Sequence, residues 1–93
     1  MVCVEAEVRA DRLQDAVDFL AQRFPETREY PGCRGINAYL CEDDKKMVFV
    51  EHWDTKDDFD KYLAWRQESG SFGAFTEMIV GELNIRTFQQ LDA

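Results

Sequence analysis

The most constraining feature of this sequence is the order in which its hydrophobic period switches between two and about 3.6 residues, because each period admits only one kind of backbone. Val2, Val4, Ala6 and Val8 alternate with Cys3, Glu5 and Glu7, which predicts a first strand with one apolar face. From Asp11, which can cap a helix, Leu13, Ala16, Val17, Leu20 and Phe24 recur at helical spacing. With Arg23 and Arg28 suited to its C-terminal end, this helix is expected to run from about Asp11 to Tyr30. Pro31-Gly32 breaks it, and Ile36, Ala38 and Leu40 alternate with Asn37, Tyr39 and Cys41 in a second strand. After a polar turn at Glu42-Asp43-Asp44-Lys45, Met47-Val48-Phe49-Val50 is apolar on both faces. That run predicts a central strand covered on both sides, ending near Glu51-His52-Trp53 and forming a hairpin with the second strand. Asp54 or Thr55 can cap a second helix, which carries Phe59, Tyr62, Leu63, Trp65 and Arg66 before Gly70 stops it. Phe72, Phe75, Met78 and Ile79 are spaced for a further short amphipathic helix, and Gly81 then releases the chain into an alternating fourth strand, Glu82 to Phe88.

Strand-helix-strand thus occurs twice in 93 residues, a length that suits one domain spanning residues 1–93. The expected closure is an α+β, ferredoxin-like βαββαβ fold with a four-stranded antiparallel sheet. Both helices would lie on one face and bury Val2, Val4, Ala6, Ile36, Ala38, Leu40, Leu83 and Ile85. The other face would be bare. At about 25 cal/mol per Å², an exposed row of Val48 and Val50 forgoes a few kcal/mol of burial, so a homodimer pairing sheet against sheet is expected. Glu5, Glu7, Asn84 and Arg86 could then meet as polar contacts nearer its edge.

Composition removes several classes of partner. A formal charge of −8 argues against nucleic acid and anionic membranes, both of which are bound through Lys and Arg. No apolar run approaches the roughly 20 residues that span a bilayer, and Met1 to Glu5 lacks the pattern of an export signal. Cys3, Cys33 and Cys41 are an odd number without C-x-x-C spacing and His52 is the sole histidine, so we expect neither a disulfide framework nor a zinc site. A cytoplasmic location fits that cysteine usage. Gly-rich phosphate loops and nucleophile elbows are absent too.

Three short patterns lie in order along the chain: Tyr30-Pro31-Gly32-Cys33 entering strand two, Phe49-Val50-Glu51-His52-Trp53 ending strand three, and Phe59, Tyr62 and Trp65 in the next helix. In this order and spacing the chain resembles the antibiotic biosynthesis monooxygenase (ABM) family over nearly its whole length. The resemblance implies a ferredoxin-like dimer whose sheets face each other as an α+β barrel, with a pocket between helices and sheet in each protomer. It also implies oxygenation of quinol-like aromatics without metal, flavin or haem, hence no cofactor, while other branches of the family bind and degrade haem. Trp53 matches the strand-end Trp, but Phe49 and Phe59 stand where the quinol-oxygenating branch carries Asn and Tyr. Val8, Tyr62 and Phe72 stand where the haem-degrading branch carries Asn, Trp and His, which argues against that route.

Oxygenation without a cofactor needs a substrate anion electron-rich enough to reduce O₂, so the protein must supply a base, an oxyanion partner and a dry pocket. Glu51 shares the strand face of Phe49 and Trp53, where a carboxylate among rings would have a raised pKa suited to a general base. The competing reading pairs Glu51 with Arg66 or a backbone amide as a purely structural contact. Arg66 is the candidate to neutralise and stack on a phenolate. His52 points to the opposite face and is a weaker catalytic candidate. Phe49, Trp53, Phe59, Tyr62, Trp65, Phe72 and Phe75 are candidates to line a pocket for a small aromatic, or simply to fill the core. The two resulting readings are a cofactor-independent monooxygenase of a small hydroxylated aromatic and a non-catalytic dimeric ligand-binding or stress-related module.

Overall fold

A computed structural model describes residues 1–93. Strand β1 spans Val2–Val8, helix α1 Leu13–Glu29, β2 Cys33–Leu40, β3 Met47–Trp53, α2 Lys56–Glu68, α3 Ser71–Thr76 and β4 Ile79–Thr87. The strands form one antiparallel sheet in the order β2-β3-β1-β4, so β1 and β3 are central and β2 and β4 are edges. This is the ferredoxin-like βαββαβ arrangement that the alternation of periods predicts.

The core lies between the helices and one face of the sheet. Val2, Val4, Ala6 and Val8 of β1 and Met47, Phe49 and Glu51 of β3 are buried, as are Ala16, Leu20 and Phe24 of α1 and Phe59 and Tyr62 of α2. Alternation puts Cys3, Val48, Val50 and the exposed His52 on the other face, where no helix packs and the first three are half-buried. Thr55 caps α2, its hydroxyl accepting the Asp58 N–H at 3.1 Å.

Helix α1 departs from expectation at its start. Asp11 caps nothing: it sits exposed in a 3₁₀ turn, Ala10–Arg12, and the α-helix begins after it with no side-chain cap. Pro25 lies inside the helix, with its ring on an exposed surface. The helix stops at Glu29, because the proline at 31 drives Tyr30 into extended backbone (φ −68°, ψ 138°). Gly32 follows at φ +91°, and a Cβ there would collide with the Asp58 side chain. Its carbonyl also accepts the Asp54 N–H at 2.8 Å, so this glycine lets the loop close on the start of α2.

Three expectations about the core are corrected. Ala38 is exposed, and Leu40 and Val17 are 41% and 45% exposed, because α1 leaves the outer half of edge strand β2 uncovered. Leu83 and Ile85, on the opposite edge strand, are only half-buried. Met78 and Ile79 are not helical: β4 begins at Ile79, and Gly81, at φ +71°, lies within it where the pairing with β1 shifts register between Glu5 and Glu7. The glycine therefore makes a bulge inside the strand rather than marking its start.

Candidate active site

Strand β3 carries Glu51 into the core. Its register neighbours across the sheet are Val2 on β1 and Ile36 on β2, both buried aliphatics, so the carboxylate has no polar neighbour from the adjacent strands. Glu51 is 3% exposed. Its hydrogen-bond donor is the indole of Trp53, two residues on and on the same face, whose Nε1 lies 3.0 Å from Oε1. Burial outweighs that bond and pushes the carboxyl up to about 7.

The ring of Trp53 is held by Tyr30, Phe59 and Tyr62, with centroids at 6.2, 5.9 and 4.9 Å. Together these rings fix the indole N–H on the carboxylate.

Arg66 does not meet Glu51. One turn along α2 from Tyr62, it donates from Nε to the Tyr62 hydroxyl at 3.0 Å and from Nη2 to the Arg23 carbonyl and Thr27 Oγ1, both at 2.9 Å. Nη1 faces Glu26 Oε1 and Ser71 Oγ at 3.4 Å, so all five N–H groups have acceptors within the protein. The guanidinium also lies 4.5 Å from the Trp65 ring. The expected pairing of Arg66 with Glu51 is replaced by a clamp between α1 and α2, and the same contacts occupy the N–H groups expected to meet a substrate phenolate.

A half-open cavity of about 80 Å³ lies between helices and sheet. Phe49, Phe59, Tyr62, Phe72 and Phe75, all expected to line a pocket, do so, and Glu51 and Arg66 are in the wall with them. Trp53 stands behind Glu51 and does not line the cavity, while Trp65 borders a separate outer groove with Glu26 and Ser69. His52 is exposed on the opposite face of the sheet.

Sequence reasoning missed the contribution of α1: Phe19, Leu20, Arg23, Phe24 and Thr27 also line the cavity. Thr27 is fully buried and lies 2.7 Å from the Tyr62 hydroxyl. The available signal was its position three residues after Phe24 and seven after Leu20, on the buried stripe of the helix. Burial holds the Tyr62 phenol above its ordinary pKa, although its bonds with Thr27 and Arg66 oppose that rise. Tyr62 therefore stays a neutral hydroxyl across the physiological range.

This fold agrees with what the chain is similar to. The profile of the antibiotic biosynthesis monooxygenase family matches residues 1–77, and the chain belongs to that family. Among solved structures, Rv0793 from Mycobacterium tuberculosis superimposes with a TM-score of 0.85 at 18% identity, covering 99% of this chain and 94% of that one. A conserved protein from Methanosarcina mazei gives 0.87 at 18% identity, covering 97% and 90%. The crystal structure of an antibiotic biosynthesis monooxygenase gives 0.85 at 13% identity, covering 97% and 96%. At these identities the structural likeness establishes the fold alone. No curated protein sequence matches the chain significantly. No helix is long and apolar enough to cross a membrane.

Proposed function

We propose that this chain is a monooxygenase of small hydroxylated aromatics of the quinol type, with Glu51 as its general base. The observation that carries this reading is an isolated carboxylate in the wall of an apolar cavity, with its pKa raised to about 7. A base so poised is half ionised near neutrality, where proton abstraction combines adequate basicity with adequate population. Glu51 would take a proton from the substrate, leaving an electron-rich anion. That anion reduces O₂, one oxygen atom forms a carbon–oxygen bond, and the other leaves as water, so an activated ring CH₂ plus O₂ becomes C=O plus H₂O. The apolar wall of Phe49, Phe59, Phe72 and Phe75 would keep bulk water from the anion. This chemistry asks for no metal, flavin or haem.

The cavity is smaller than the roughly 150 Å³ that accommodates benzene in an engineered protein core. A single ring is therefore the substrate size we favour, entering as half-buried Phe72 and Leu63 shift. Oxygen uptake by metal-free protein, measured across single-ring quinols and anthrone-type compounds, tests the reading. Turnover should rise with pH through about 7 and fall roughly 10²- to 10⁴-fold in Glu51→Gln. Uptake that is absent across the panel, or unaffected by Glu51→Gln, would sink it.

The phenylalanines at 49 and 59 and the small cavity favour one other reading, a module that holds a small apolar ligand without converting it. Native mass spectrometry would separate the two, because a stoichiometric ligand unchanged under O₂ supports the module and an oxidised product supports the enzyme.

We further propose that the domain works as a homodimer through the free sheet face. Val48, Val50 and Cys3 are only half-buried there, and Tyr39, paired with Val48 in register, is 58% exposed. Sedimentation at micromolar concentration should show a dimer, dissociated by Val50→Lys; a monomeric wild type would remove the argument.

A further inference from the structure

We infer that Tyr62, rather than Arg66, is the hydrogen-bond donor that holds the substrate oxyanion, and that Thr27 is the hydroxyl rotor that frees the Tyr62 proton for this task. The inference assigns an oxyanion partner to the chemistry proposed at Glu51 and rests on that reading for its purpose. The bonding around the two hydroxyls supplies its own argument.

A tyrosine oxygen can accept two hydrogen bonds and donate one. Tyr62 accepts from Arg66 Nε at 3.0 Å and lies 2.7 Å from Thr27 Oγ1, a contact in which either oxygen can be the donor. In one arrangement Tyr62 donates to Thr27, and the Thr27 proton falls to the Arg23 carbonyl at 3.5 Å. That second bond is poor, because 3.5 Å is long for a hydroxyl donor and the same carbonyl already accepts Arg66 Nη2 at 2.9 Å.

In the other arrangement Thr27 donates to Tyr62. The Tyr62 oxygen is then filled by two donors, and its own proton must find a third group. The contacts around Tyr62 provide no further protein acceptor, whereas the residue lines the cavity that Glu51 also lines. A substrate oxyanion in the cavity is the missing acceptor. Switching between the arrangements requires both hydroxyls to rotate, Thr27 from the Arg23 carbonyl to Tyr62 and Tyr62 from Thr27 to the cavity, and gives up only the 3.5 Å bond.

Arg66 cannot take this role without losing a clamp contact, since each of its N–H groups already faces an acceptor. It instead directs a donor at each of the two hydroxyls, making Tyr62 a stronger donor through cooperative polarisation. The proton stays on Tyr62 throughout: the anion is stabilised by a hydrogen bond, not by a second proton transfer.

The test uses 4-nitrophenolate, a single-ring oxyanion whose absorbance reports its ionisation, in the Glu51→Gln background at a pH where the probe is ionised. Binding is measured without turnover, so a failure of the oxygenase reading would appear as absent oxygen uptake and a failure of this one as a wrong binding pattern. Adding Tyr62→Phe should weaken phenolate binding roughly 10- to 100-fold, the span for a hydrogen bond to a charged group. Adding Thr27→Val instead, which removes the competing acceptor, should leave binding at least as tight and keeps the test decisive if the Tyr62 variant folds poorly. Unchanged binding in Tyr62→Phe would show that Arg66 or another donor holds the oxyanion and would overturn the assignment. Loss of binding in a folded Thr27→Val protein would overturn it as well.

Discussion

Two charged side chains are buried beneath the helices, and their surroundings are opposite. Arg66, in the seam between α1 and α2, is 7% exposed and has an acceptor for every N–H. Glu51, on the sheet, is 3% exposed and has the Trp53 indole as its hydrogen-bond donor. A buried ion whose hydrogen-bonding capacity is filled keeps its charge and fixes geometry; one left nearly bare is driven toward its neutral form and becomes able to exchange a proton near pH 7. The first belongs to the scaffold and the second has the properties of a reactive group.

Breaking the satisfied charge should have the larger effect on stability. Arg66→Ala strips donors from Tyr62, Thr27 and the Arg23 carbonyl at once, and should lower unfolding free energy by roughly 3–5 kcal/mol, read as a shift in the urea midpoint. A change under about 1 kcal/mol would mean that the seam repacks without it.

The unsatisfied charge should behave in reverse, with a pH signature. Between about pH 4.5, where the unfolded Glu51 carboxyl ionises, and about 7, where the folded one does, the folded chain holds the extra proton, so stability falls as pH rises across that window. Glu51→Gln removes this fall. The variant should therefore be more stable than wild type by on the order of 3 kcal/mol at pH 8, with the advantage vanishing below about pH 4.5. Thermal unfolding against pH reads it directly, and an advantage that persisted at pH 4 would point to packing instead.

Trp53→Phe should give the smallest of the three effects and the most specific. Removing the indole N–H takes away the bond that favours the ionised carboxylate, so the Glu51 pKa should rise further and the pH dependence of both stability and turnover should move to higher pH. The loss of stability should be roughly 1–2 kcal/mol at alkaline pH and close to nil where Glu51 is protonated. An unmoved pH profile would deny Trp53 its hold on the carboxylate.

How much of this was legible in the sequence follows from the range of each interaction. Period two along β1 and β3 determined which residues face the helices, and so placed Glu51 inward and His52 outward, because the pleat of a strand leaves no other choice. The same reasoning misplaced Ala38, Leu40 and Val17, since alternation sorts residues between faces but does not say how far a helix reaches over an edge strand. It also read Gly81 as the start of a strand, because a bulge shows itself only in pairing with a partner more than seventy residues away in the chain.

Thr27 is 35 residues from Tyr62 and Arg66 is 40 from Glu26, and no local pattern announces such meetings. The sequence by itself therefore determined the order of elements, the faces of the central strands and the inward carboxylate, all of which depend on backbone geometry within a few residues. Only the tertiary structure decided that Arg66 would join the α1–α2 seam rather than neutralise Glu51. That choice depends on how helices pack against each other over the sheet, and it leaves Glu51 the isolated group around which the proposed chemistry is built.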